Sequence, residues 1–170
     1  MRGVASRHAA AGRAAAALDA EDVTIRRAEP RDATGIGDVW LASWRATFEF
    51  GPAHPDEDVR RWLATELMPH YETWAAVDAD DTVVALMALS DDMIEQLYVA
   101  PAWIGRGLGR RLIELAKERR PAGLDLYCFA ANARARRFYE RAGFVPTGFG
   151  DGSGNEEAQP DVRYAWRPAT

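Results

Sequence analysis

Three glycines alternate at positions 105, 107 and 109, and what flanks them limits the fold. Before them, Met93–Val99 alternates like a half-buried strand and stops at Pro101. After them, Leu108, Leu112, Leu115 and Ala116 fall at helical spacing. Glycines at a strand-to-helix junction allow unusual backbone angles and close approach of the backbone to another group. A helix start offers unpaired N–H groups and the positive end of the helix dipole, which suits phosphate oxygens. Arg106, Arg110 and Arg111 add positive charge beside it. No Gly-Lys-[Ser/Thr] follows, which argues against a Walker-type NTPase loop. The spacing is Gly-x-Gly-x-Gly rather than the Gly-x-Gly-x-x-Gly of a dinucleotide fold.

The rest of the chain alternates in the same way. Strands are predicted at Val23–Ala28, Thr73–Val77, Thr82–Leu89, Met93–Val99, Leu124–Phe129, Phe144–Phe149 and Val162–Trp166. Helices are predicted from an Asp32 cap to about Thr47, from Glu57 to Met68 with Pro69 as the stop, after Leu108 until Pro121 and Gly123, and over Ala133–Ala142. Gly143 is placed to close the last helix in the left-handed conformation. The order β-α-α-β-β-β-α-β-α-β-β describes an α/β (α+β) domain, a mixed sheet with helices on both faces.

Composition narrows the function. Lys and Arg total 21 against 26 for Asp and Glu, a net charge of −5, where a general nucleic-acid binder is normally basic. Arg134, Arg136, Arg137 and Arg141 make one helix basic, and a solvated face or contact with cofactor phosphates explains them better than RNA does. The single cysteine, Cys128, allows no intrachain disulfide, and the three histidines are scattered, so no metal is expected. No run approaches the roughly 20 apolar residues of a membrane helix. Residues 1–18 carry Arg2, Arg7 and Arg13 and no acid, and nine of the first 20 residues are alanine. Residues 1–22 are read as a disordered extension, residues 23–170 as the folded domain, and the protein as cytoplasmic.

Two stretches carry a family resemblance. Leu97-Tyr98-Val99-x-Pro101 followed by Gly105-Arg106-Gly107-Leu108-Gly109 resembles the acetyl-CoA motif of the GNAT N-acetyltransferase superfamily. Leu124–Phe129, Asn132 and Phe138-Tyr139-Glu140-x-x-Gly143-Phe144 resemble that family's C-terminal motif. The two stand in the family's order, and the resemblance spans residues 23–170. It implies a mostly antiparallel central sheet of six or seven strands, splayed between the fourth and fifth. It also implies acetyl-CoA as cosubstrate, no metal, and transfer to an amine-bearing acceptor without a covalent enzyme intermediate. The family pattern begins Gln/Arg-x-x-Gly, and Ile104 departs from it. The loop amides are unaffected, but one polar side chain is lost. Homodimerisation and a catalytically idle CoA-binding module are the open alternatives, and the presence of Tyr139 argues against the idle module.

Cofactor contacts are expected from Leu97, Tyr98, Val99, Ile104, Gly105, Arg106, Gly107, Leu108, Gly109, Arg110, Asn132 and Tyr139. The resemblance implies that the backbone of Leu97, Tyr98 and Val99 pairs with the pantetheine arm, and that the N–H of Val99 or Leu97 polarises the thioester carbonyl. Asn132 and Tyr139 lie two helical turns apart on one face, roughly 10 Å along the axis, the scale of that arm. The resemblance makes Tyr139 the acid for the leaving thiolate. An ammonium acceptor must lose a proton before it attacks. Strand alternation puts Glu95 on one face with Leu97 and Val99, which nominates Glu95 as the base, with Glu49 or a water relay as substitutes. Phe48 and Phe50 are expected to wall the acceptor pocket, while Trp40 and Trp44 are expected in the core. Glu156, Glu157 and Asp161 are expected to recognise a cationic acceptor.

Overall fold

Val83–Leu89 is apolar at every position, and such a strand needs cover on both faces. It becomes β3, with all seven residues buried. In the computed structural model, which describes residues 20–169, β3 lies inside a four-stranded antiparallel sheet ordered β1-β2-β3-β4. Its neighbours are β1 (Thr24–Arg27), β2 (Glu72–Val77) and β4 (Ile94–Val99). Successive β3 side chains point to opposite faces. Ala85, Met87 and Leu89 join the core under α3 (Leu108–Arg119), while Leu86 and Ala88 join the core under α1 (Ala33–Thr47). Both faces of the strand are thereby removed from water.

A second sheet, ordered β5-β7-β6 and also antiparallel, contains β5 (Leu124–Phe129), β6 (Val145–Gly150) and β7 (Asp161–Trp166). Helix α4 (Ala133–Arg141) links β5 to β6, and Gly143 closes it at φ +86°. The sheets meet at one parallel bridge, Met93 to Asp125, where the Asp125 amide donates to the Asp92 carbonyl at 2.8 Å. Beyond that pin, β4 and β5 share no ladder, and a gap opens between them. The seven strands and the splay between the fourth and fifth agree with the sequence reading.

Two expectations need correction. Asp32 occupies the capping position of α1 but does not cap it. Its carboxylate is taken by the Arg26 guanidinium at 2.7 and 3.0 Å and by the Glu29 amide at 2.7 Å. The second helix, α2, does not stop before Pro69. It runs over Asp56–Trp62, widens into a π turn at Leu63–Leu67 and finishes at Met68–His70. The wide turn sends the Met68 amide to the Leu63 carbonyl, and Pro69 brings no N–H that would need a partner in the last turn. The expected extension over residues 1–22 lies outside the described residues as far as residue 19, but Ala20–Asp22 form a 3-10 turn. Arg111 holds it by donating to the carbonyls of Ala20 and Val23. No helix among the described residues is long and apolar enough to cross a membrane.

Candidate active site

The glycine loop is anchored at both ends by buried side chains, Trp103 before it and Leu108 after it. Between them Gly105 and Gly107 take φ of +81° and +86°, angles that other residues rarely adopt. Gly107 is the residue immediately before α3. The next amide with a helical partner is that of Arg111, which donates to Gly107 at 3.1 Å. The N–H groups of Leu108, Gly109 and Arg110 are therefore the orphan donors of the first turn. Open space stands where a Gly107 side chain would project, and the Arg134 guanidinium lies 3.9 Å from where one would leave Gly105. Anion-binding donors, a dipole end and Arg134 thus face one open spot, which fits a phosphate group, while the Arg110 guanidinium turns along the helix to donate to Glu114 at 2.8 Å. Gly109 serves packing instead, because a methyl group there would stand 3.2 Å from the Phe138 ring. Leu108 offers only its amide, since its side chain is in the core. Arg106 turns back to donate to the Ala102 carbonyl at 3.0 Å. Ile104 lines the cleft.

The loop opens into the gap between β4 and β5. In an antiparallel pair, alternate residues turn their N–H and C=O groups to the partner strand. The Ala100 amide donates to Val84 in β3 at 2.8 Å, and Tyr98 pairs with Leu86 two residues earlier in the same register. By that parity Tyr98 faces β3, while the backbone groups of Leu97 and Val99 face the gap. The expectation for the Tyr98 backbone is thus corrected, because its groups belong to the β3 ladder. The Val99 carbonyl already accepts the Ser43 hydroxyl at 2.6 Å, which fixes this end of β4 to α1.

Tyr139 enters the gap from α4. Its ring packs against Phe138, Phe144 and Tyr164 at 5.2, 5.8 and 6.3 Å. It is 8% exposed and lines the cleft, and its hydroxyl has no hydrogen-bond partner among the described residues. Burial, helped by Cys128 and Tyr98, pushes the phenol well above its ordinary value and keeps it protonated. Burial likewise pushes the Cys128 thiol up to about 11, so it is no thiolate at neutral pH. Asn132 is half-committed. Its Oδ1 caps α4 by accepting the Ala135 amide at 3.0 Å, which leaves its Nδ2 to donate.

Glu95 departs from the expected alternation. Ala88 pairs with Gln96 but Leu89 pairs with Ile94, so Glu95 is the extra residue of a β-bulge. Ile94, not Glu95, joins Leu97 and Val99 in the core under α3. Glu95 is half-buried on the cleft wall and makes no hydrogen bond or ion pair among the described residues. Glu49 is exposed and off the cleft.

The far end of the cleft has an aromatic floor. Trp40 and Trp44 stack at 4.9 Å and are buried, while Phe48 packs on Trp44 at 5.0 Å and on Phe129 at 5.4 Å. Phe48 lines the cleft, but Phe50 sits behind it at 4.8 Å and does not. The β6–β7 loop closes over this end. Asn155 organises it, donating to the Gln159 carbonyl at 2.8 Å and Asp161 at 3.0 Å and accepting the Gln159 amide at 3.1 Å. Asp161 is thereby occupied in holding the loop. Glu156 reaches across the mouth to His54 at 2.9 Å, and Glu157 points a half-buried carboxylate into the cleft. The whole cleft is about 1820 Å³, basic at the glycine loop and acidic at the mouth. His54, Ser43, Phe129 and Trp62 are contributors that sequence reasoning missed, since their partners are far away in the chain.

The model of the acetyltransferase (GNAT) family matches residues 38–144. The peptidyl-lysine N-acetyltransferase YjaB of Escherichia coli is 30% identical over 126 residues, which cover 74% of this chain and 84% of YjaB. Its Salmonella typhimurium counterpart is 29% identical over 74% of this chain and 86% of its own. The solution structure of apo-form YjaB from Escherichia coli matches with a TM-score of 0.72 and 28% identity, covering 86% of this chain and 99% of that one. The PaiA N-acetyltransferase of Thermoplasma acidophilum, solved in complex with coenzyme A, shares the fold at a TM-score of 0.67 and 18% identity, over 86% of this chain and 99% of that one.

Proposed function

The chain belongs to the acetyltransferase (GNAT) family, and from that premise we propose that it transfers the acetyl group of acetyl-CoA to a primary amine by direct attack. The observation that carries this reading is the gap between β4 and β5, where the backbone groups of Leu97 and Val99 have no strand partner. One end of the gap meets the anion-binding amides of the glycine loop, and the other meets the acidic mouth. An extended, polyamide-like arm ending in phosphates suits the first end, as an added strand pairs with a free edge. When bound, acetyl-CoA supplies an activated thioester with a thiolate leaving group.

The chain's own groups then have these roles. The orphan amides of Leu108, Gly109 and Arg110, with the Arg134 guanidinium, hold phosphate oxygens. The N–H groups of Leu97 and Val99 bind the arm and polarise the carbonyl. The Nδ2 of Asn132 donates to the arm. Tyr139, held protonated by burial, gives its proton to the departing sulfur. Glu95, on the bulge and without a side-chain partner among the described residues, takes the proton from the amine. A lysine side chain is the acceptor we favour, because the mouth is open and acidic and the relatives are named for peptidyl-lysine acetylation.

Calorimetric titration with acetyl-CoA tests the loop. Gly107→Asp puts a negative charge where phosphate is bound and should abolish binding. Gly107→Asn has a similar shape without the charge and tolerates the left-handed conformation, so it should keep most of the affinity. Equal affinity in wild type and a folded Gly107→Asp protein would overturn the assignment.

A further inference from the structure

In these roles no group yet holds the acceptor nitrogen, and two groups of the cleft lack side-chain partners among the described residues. The first is Tyr98. Its backbone belongs to the β3 ladder, and its ring is set by Trp40, 5.4 Å away on α1. Its hydroxyl lines the acceptor half of the cleft and makes no hydrogen bond among the described residues. The second is Glu157, half-buried on the loop that Asn155 braces. Its side chain has no ion pair or hydrogen bond among the described residues, whereas its neighbours are engaged, Glu156 by His54 and Asp161 by Asn155. Both residues line the same cleft. After burial itself, the Glu157 charge is the largest influence opposing loss of the Tyr98 proton.

A partly desolvated carboxylate without a cation is unfavourable. A phenol oxygen lining the same cleft adds an acceptor site, and an ammonium group brings three donors and no acceptor. The pair is therefore complementary to a primary ammonium and mismatched to a carboxylate or phosphate. We propose that Tyr98 and Glu157 form the seat of the acceptor nitrogen, Glu157 as countercharge and the Tyr98 oxygen as hydrogen-bond acceptor. The seat rests on the proposed transfer and refines it. Tyr98 fixes the nitrogen on the α1 side of β4, while Tyr139 serves the sulfur from α4. The two phenols thus divide the work between acceptor and leaving group.

The test is calorimetric titration of the CoA-saturated protein with an Nα-blocked lysine amide. Tyr98→Phe keeps the ring on Trp40 and removes the oxygen, and Glu157→Gln keeps the shape and removes the charge. Each should weaken amine binding by about tenfold or more. CoA affinity should be unchanged in both. The double variant should lose less than the two losses multiplied, because both groups hold one nitrogen. Wild-type amine affinity in either variant, or no amine binding by the wild-type protein, would overturn the seat. Wild-type protein that binds the amine but transfers no acetyl group to it would leave the seat in place and remove the proposed transfer instead.

Discussion

Tyr139 is where chemistry and packing separate most cleanly. Its ring contacts with Phe138, Phe144 and Tyr164 survive in Tyr139→Phe, and only a hydroxyl without a partner among the described residues is lost. We expect kcat to fall about 10²–10⁴-fold, the usual contribution of a positioned acid, with acetyl-CoA affinity and melting temperature unchanged. Near-full turnover would make the tyrosine structural. Ile104 is a milder probe. Ile104→Gln adds a polar group to the cleft wall beside the glycine loop and should tighten acetyl-CoA by up to about 1 kcal/mol, the net value of one hydrogen bond. A clear loss in calorimetry would show that the apolar side chain packs usefully. At this scale the sequence was informative wherever the constraint is local. Gly105, Gly107 and Gly143 take the left-handed angles that their positions suggested. The packing of Phe138 against Gly109 was not legible, because Phe138 comes from another helix.

Among the elements, the β6–β7 loop takes three of its side-chain hydrogen bonds from Asn155. Asn155→Ala removes three hydrogen bonds that brace Gln159 and Asp161. It should raise the acceptor KM with little effect on acetyl-CoA binding, and limited proteolysis should cut first within residues 151–160. Protection equal to wild type would mean that the loop is braced elsewhere. The elements also show why part of the site was not legible. The bounds of β5 are those read from the sequence, Leu124–Phe129, with Asp125 interrupting an otherwise apolar stretch. The bulge at Glu95 does not, because a bulge is defined by its partner strand and β3 lies outside the local pattern. The free edge at Leu97 and Val99 depends on ladder parity, which no single strand reveals. The π turn that carries α2 past Pro69 is hidden in the same way, since the proline reads locally as a stop.

At the scale of the whole molecule, the two sheets are pinned at Asp125, and the cleft exists because they part beyond it. Burial works to raise the Asp125 carboxyl, but hydrogen bonds from Arg167 and Arg163 outweigh it and hold the group below its ordinary value. Asp32 is lowered too, chiefly by its Arg26 hydrogen bond. A carboxyl lowered on folding contributes stability that is present above its unfolded value, near 3.8, and is lost as pH falls toward the folded one. Urea unfolding should therefore weaken below about pH 4, and Asp125→Asn should flatten that acid-side fall while costing stability at pH 7. An unchanged acid slope in the variant would place the dependence elsewhere. The His54–Glu156 contact across the mouth joins residues 102 positions apart, so the cleft's acidic end could be named from the sequence but not assembled. The most direct test follows thiol release and acetyl-amide formation together, with acetyl-CoA and an Nα-blocked lysine amide on the wild-type protein. One acetylated amine is expected for each thiol released. Thiol release without acetyl-amide, or neither product from protein that demonstrably binds both ligands, would contradict it.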